Sequence, residues 1–245
     1  MDIGKSFTYM FDDEKWVQKL AIGGLLALVS IIPIVNIFTM LVLVGYALRV
    51  LQNVANKKEV PLPEWDDWGG DWIRGLMVAL GWLIYSIPII VVSGLSWIVT
   101  AATGYDSGDV EGVFALCVAA LSCLSAIWSL AEAVVFPAAL LQYAEEEQFG
   151  AFFKFGDIFR FIGDNLSNYI VAILLALVAR IVAGFGVIVC VIGLFFTYFW
   201  GTLVGVHLLG QVKAEATPAL ATAAVEAESY GDLDASAISE DESEE

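Results

Sequence analysis

Four long apolar stretches, separated by short polar segments, set the pattern of this chain. The first runs from Leu20 to Leu48 without a charge and is interrupted at its middle by Ser30-Ile31-Ile32-Pro33-Ile34-Val35-Asn36. A bilayer core about 30 Å thick is crossed by about 20 apolar residues in helix, and soluble cores seldom hold such runs, so the pattern predicts an integral membrane protein. Arg74 to Thr103 and Gly112 to Tyr143 each read as one long helix, with Pro88 a kink in the first and Pro137 near the inner end of the second. Asn165 to Val212 is too long for one span and holds Gly184-Phe185-Gly186 near its middle, which marks a helical hairpin.

Basic residues decide how the first stretch folds, because Lys and Arg in short loops mark the cytoplasmic side. Lys5, Lys15 and Lys19 precede it; Arg49, Lys57, Lys58 and Arg74 follow it; Lys154 and Arg160 lie after Tyr143, and Lys213 opens the C-terminal segment. The loop Gly104 to Gly112 holds only Asp106, Asp109 and Glu111. The N-terminus and the Arg49–Arg74 loop therefore fall on one side, and the first stretch must be a hairpin turned by Pro33 and Asn36. Its arms, Trp16 to Ile32 and Ile37 to Asn53, are about 17 residues each, the lower limit for a span, and a re-entrant hairpin is the rival reading. The expected fold is all-α, a polytopic transmembrane helix bundle of about six membrane helices including two helical hairpins, with short interfacial helices. Both termini are expected in the cytoplasm, and the location is expected to be the cell (plasma) membrane.

The two hairpins align loosely as copies of one unit. Phe7-Thr8-Tyr9-Met10-Phe11-Asp12-Asp13 lies over Phe159-Arg160-Phe161-Ile162-Gly163-Asp164-Asn165 ahead of the first arms, and Gly45-Tyr46 faces Gly205-Val206 in the second.

Composition changes the picture at the C-terminus. A chain with 59% hydrophobic residues still carries a formal charge of −17, and its acids are concentrated after Lys213, from Glu215 to Glu245 among Ala and Ser. Residues 1–213 are assigned to the multi-pass helical domain. Residues 214–245 read as a disordered, solvated acidic tail, since such a segment buries too little apolar surface to offset its ordering entropy. An acidic docking tail for a basic partner is the alternative. Nucleic acid is excluded as a partner by the same charge balance, because phosphate contacts need clustered Lys and Arg.

Charge inside the apolar stretches is costly and marks the candidate site. Glu132 and Arg180 lie at matching depths from the inner ends of their helices and are expected to pair, either as a static bridge or as a proton or anion site. His207, near the inner end of its helix, is expected to play a structural interfacial part. Trp65, Trp68 and Trp72, in Pro61-Leu62-Pro63-Glu64-Trp65-Asp66-Asp67-Trp68-Gly69-Gly70-Asp71-Trp72, would share one face of a short helix as an interfacial anchor, with the acids turned to water. Phe149 to Ile162 reads as a second interfacial helix, and either aromatic segment would serve equally as a docking surface. Cys117, Cys123 and Cys190 are packing residues, and no metal or cofactor site is expected. No phosphate-cradling loop, nucleophile elbow or zinc-ligand motif is present, so no enzymatic activity is expected.

Together, Phe7-x-Tyr9, Asp13-Glu14-x-Trp16, Gly23-Gly24, Ile32-Pro33-Ile34-Val35-Asn36, Gly45-Tyr46-x-Leu48-Arg49 and Leu62-Pro63-Glu64-Trp65-Asp66-Asp67-Trp68-Gly69 resemble the domain-of-unknown-function 4013 family of bacterial and archaeal membrane proteins. The resemblance covers Met1 to Val212 and implies a prokaryotic multi-pass membrane protein; it brings no catalytic or binding residues with it. The expected function is a non-enzymatic scaffold or accessory membrane component, whose partners are the lipid bilayer and a protein engaged at the cytoplasmic loops or tail. A small transporter with a site at Glu132 and Arg180 is the alternative, disfavoured by the few polar residues elsewhere in the helices.

Overall fold

Pro33 begins a helix where the sequence places a turn around it. The structure, a computed structural model, describes residues 1–103, 111–189 and 191–241, with side chains described in all of these except 99–100, 102–103, 111–115, 189 and 217–241. Asp106, Asp109 and Cys190 lie outside the described residues. α1 (Ile3–Thr8) and a 3-10 turn (Tyr9–Asp12) lead into α2 (Trp16–Val29), which stops at Ser30, and Pro33 is the first residue of α3 (Pro33–Ala55). There its fixed φ suits a helix and its missing amide hydrogen costs nothing. Asn36 closes the hairpin tip by donating Nδ2 to the Ser30 carbonyl at 2.7 Å. An extended strap follows, then α4 (Trp68–Thr103), α5 (Glu111–Glu146), a 3-10 turn (Phe149–Phe153), α6 (Phe155–Asp164), α7 (Leu166–Gly184), a 3-10 turn (Phe185–Val189) and α8 (Val191–Asp241). Pro88 and Pro137 both lie inside continuous helices.

The protein is an all-α polytopic bundle. Among the described residues, five stretches are long and apolar enough to cross a membrane: Pro33–Ala55, Trp68–Ile98, Leu116–Glu146, Leu166–Ile188 and Val191–Ala216. α2, with 14 residues, rises only about 21 Å, short of a core of roughly 30 Å. The first hairpin thus has one short arm and one full-length arm. Both its open ends lie together, since Lys19 of α2 and Arg49 of α3 bond neighbouring carbonyls of the strap. The ends bearing Gln52, Ala144, Glu145, Lys213 and the start of α7 also meet there, and we term this the basic end.

Helices in lipid gain little from hydrophobic sorting and pack where small residues let backbones approach. On α3, a Cβ at Gly45 would overlap the Asp71 carbonyl of α4, and a Cβ at Gly75 would overlap the Leu41 carbonyl in return. These reciprocal contacts fix an antiparallel register that places Pro33 opposite about Leu83 by the helical rise. On α2, Gly23 and Gly24 receive the rings of Phe199 and Phe196 from α8. Ala179 and Ala183 of α7 face Gly201 of α8. Tyr46, Val42, Val50, Leu51, Leu203 and Leu208 fill the centre and are fully buried.

Beyond the tip of the first hairpin, α4 and α5 continue as a pair. Their apolar side chains there, among them Ile87, Ile90, Val91 and Leu95 of α4 and Leu124, Ile127 and Leu130 of α5, are exposed, as expected of surface that faces hydrocarbon. At the other extreme α8 runs on through the segment assigned to the acidic tail. Ala214 and Ala216 are buried and Glu215 pairs with the Met1 amine, so the packed bundle extends past Lys213.

Replacement of Gly45 by Ala is expected to push α3 from α4 and cost about 1–3 kcal/mol, the usual range for overpacking. Gly94→Ala, whose added methyl meets nothing within 4 Å, is expected to be neutral or slightly stabilising. Thermal unfolding of the two variants in the same detergent compares them.

Candidate functional site

Pro61 and Pro63 lack amide hydrogens and no backbone hydrogen bond forms within 61–65, so these carbonyls need other partners. Five consecutive carbonyls find them in side chains. Asn53 Nδ2 donates to Pro61 at 2.9 Å, Lys19 Nζ to Leu62 at 3.0 Å, Tyr46 Oη to Pro63 at 3.0 Å, Arg49 Nη2 to Glu64 at 2.9 Å and Trp68 Nε1 to Trp65 at 2.9 Å. Trp65 returns a bond from Nε1 to the Lys19 carbonyl at 3.1 Å and stacks on Tyr46 with ring centroids 3.9 Å apart. The strap is thereby tied across the ends of α2 and α3.

Charge locks the same region. Asp71, fully buried in the first turn of α4, faces Arg49 through Nε at 2.7 Å and Nη2 at 2.8 Å, a forked arrangement that suits guanidinium and carboxylate, and Arg74 approaches it at 3.4 Å. Lys19 and Asp13, each with a side chain 6% exposed, pair at 2.6 Å. Around these, Glu64 meets Lys15 and Lys19, Asp66 meets Arg49, and Asp67 meets Arg74. The acids that the sequence turns to water are thus engaged by cations. The hydrogen bond from Lys19 holds the Glu64 carboxyl below its ordinary value, and those from Arg74 and the Gly70 amide do the same for Asp67. Among the described residues no three His, Cys, Asp or Glu side chains gather as metal ligands.

The three tryptophans do not share a face. α4 begins at Trp68, so Trp65 belongs to the strap and turns inward onto Tyr46, Trp68 stands 40% exposed, and Trp72 packs against Phe38 of α3. The segment after α5 also divides. Phe152 is buried against Tyr143, and its carbonyl accepts from Tyr85 Oη at 2.6 Å. α6 buries Ile158, Phe161 and Ile162 and leaves Phe155 and Phe159 exposed. His207 is buried at the α8 contact with the N-terminus, stacked on Tyr9 and 3.0 Å from Ser6 Oγ.

Glu132 and Arg180 are not brought together. Glu132 accepts from Ser86 Oγ of α4 at 2.9 Å, whereas Arg180 donates to Tyr198 Oη of α8 at 3.3 Å and lies over the Tyr198 ring. Matching depth fixes height along two helices but not the direction in which each side chain leaves its helix. Arg180 instead lines a cavity of about 370 Å³ between α3, α4, α5 and α8.

Asp71, Asn53 and Tyr46 join the strap network without a motif that marks them in the sequence. The prolines that strip the strap of amides were the available signal for them.

Asp71→Ala is expected to cost about 3–5 kcal/mol by leaving Arg49 without its buried counter-charge, read from denaturant unfolding in detergent. The depressed Glu64 and Asp67 carboxyls stabilise the fold fully above their unfolded values of 4.5 and 3.8, and this contribution is lost as pH falls through the lower folded values. An acid titration is therefore expected to loosen the strap below pH 4.5, with Trp65 emission as the signal, and Glu64→Gln is expected to shrink the transition.

No curated protein and no solved structure matches the chain. The family described as protein of unknown function (DUF4013) matches residues 28–192, a span that takes in the α2–α3 tip, the strap, α4, α5, α6 and α7. The match covers more than half of the chain, which therefore belongs to that family.

Proposed function

We propose that the protein is a non-enzymatic scaffold or accessory component of the cell membrane, with its basic end in the cytoplasm and a protein partner docked there. The observation that carries this reading is the isolation of its charges from one another. The buried ones at the basic end are paired beside the strap, and Glu132 and Arg180 hold separate hydroxyl partners, so among the described residues no chain of polar groups links these charges as a conducting path would need. The orientation follows from the concentration of Lys and Arg at that end.

A rigid end with exposed aromatic groups is suited to docking. Phe155 and Phe159 project from α6 on a helix anchored by its other face, with Lys154 fixed to Glu146 at 2.8 Å beside them. The Glu146 hydrogen bond raises the Lys154 ammonium above its ordinary value, so this cation stays charged at neutral pH. The acids that follow Lys213 at this end favour a partner with a basic surface.

A photo-crosslinking residue in place of Phe159, activated in the native host, is expected to yield a protein adduct of one discrete mass. The same residue in place of Leu174, on the exposed side of α7, is expected to capture lipid. Lipid adducts alone at both positions would contradict the docking reading and leave α6 as a membrane anchor.

A further inference from the structure

Arg180 holds a full charge within a membrane-length helix, and its surroundings do not neutralise it. Its guanidinium has one hydroxyl partner, Tyr198 Oη, and among the described residues no carboxylate lies within ion-pair distance. A cation so placed is expensive in hydrocarbon unless an anion or water meets it. The side chain is exposed, and it lines the inter-helix cavity. Met40 and Val44 of α3, Val78 of α4 and Phe136 of α5 form apolar walls, Thr202 adds a hydroxyl beside Tyr198, and Trp82 stands at the wall 52% exposed. At about 370 Å³ the cavity falls within the usual range of roughly 300–1,000 Å³ for small-molecule sites.

A pocket with apolar walls and one cation selects for both properties at once. We propose that this cavity binds an anionic amphiphile, its carboxylate or phosphate head on Arg180 and Tyr198 and its apolar chain along the α3–α4–α5 walls. A neutral alcohol of the same chain would leave the guanidinium unmatched, and a free inorganic anion would leave the apolar walls empty. The chemistry is shared by free fatty acids and by anionic lipid headgroups. This proposal goes beyond partner docking at the basic end and stands or falls separately from it.

Trp82 supplies the readout, because bromine quenches indole fluorescence only at close range. Full-length protein in a neutral detergent is titrated with 9,10-dibromostearate and, in parallel, with 9,10-dibromostearyl alcohol. Saturable quenching by the acid alone is expected, lost in Trp82→Phe, weakened about tenfold in Arg180→Gln as for a lost charge-assisted hydrogen bond, and largely retained in Arg180→Lys. Quenching by brominated phosphatidylglycerol vesicles but not by the acid or by brominated phosphatidylcholine would assign the head to a bilayer lipid and also support the proposal. Equal quenching by acid and alcohol, no saturable quenching by any anionic probe, or an unchanged titration in Arg180→Gln with helical circular dichroism intact, would overturn it. Should Arg180→Gln fail to fold, the comparison of acid with alcohol on the unaltered protein decides.

Discussion

A buried carboxylate against a guanidinium, where two helices touch backbone to backbone, is the constraint on which the basic end depends. Asp71 occupies the first turn of α4 at the point where Gly45 of α3 allows its carbonyl to approach, and Arg49 reaches it from one turn further along α3. A slip of either helix would place a Cβ against a carbonyl and strand two charges in a low-dielectric region. Contact and charge therefore specify the same register. Arg49 also bonds the Glu64 carbonyl, so the pair that aligns the helices also fixes the strap over them.

Closure of the basic end separates two environments. Outside it stand the exposed rings of Trp68, Phe155 and Phe159, held on a frame whose buried charges are paired. Inside it, the helices meet through glycine, alanine and aromatic contacts, and the charges at membrane depth sit on different helices with different partners. Glu132 ties α5 to α4, whereas Arg180 belongs to the α7–α8 pair and opens on the cavity. A bridge between them would have been one more structural staple. Their separation leaves the guanidinium as the one charge, among the described residues, that lines the cavity.

Much of this architecture is legible in the sequence because membrane thickness and charge asymmetry act on composition alone. The count of basic residues around Leu20–Leu48 requires a hairpin, and the hairpin is there. Its details depend on local chemistry: Pro33 reads as a breaker, yet after an extended Ile32 it starts α3. The Trp65, Trp68 and Trp72 spacing fits one helical face only if all three share a helix, and α4 begins too late for that. Partners across long sequence separations are the least legible part. Lys19 and Leu62, or Arg49 and Asp71, meet because the hairpin and strap fold back, and no periodicity encodes that meeting. Glu132 and Arg180 fail for the converse reason, since equal depth constrains one coordinate out of three.

The most direct test of this account is the reactivity of a cysteine at Leu62, a strap residue only 3% exposed, in a background without the three native cysteines. Maleimide labelling of Leu62→Cys in detergent is expected to be slow beside Val60→Cys, which lies on the exposed side of the strap, and to become fast once Arg49→Ala is added. Equal rates at the two positions in the otherwise intact protein would show that the strap is not fastened to α2 and α3, and the account would fail at its centre.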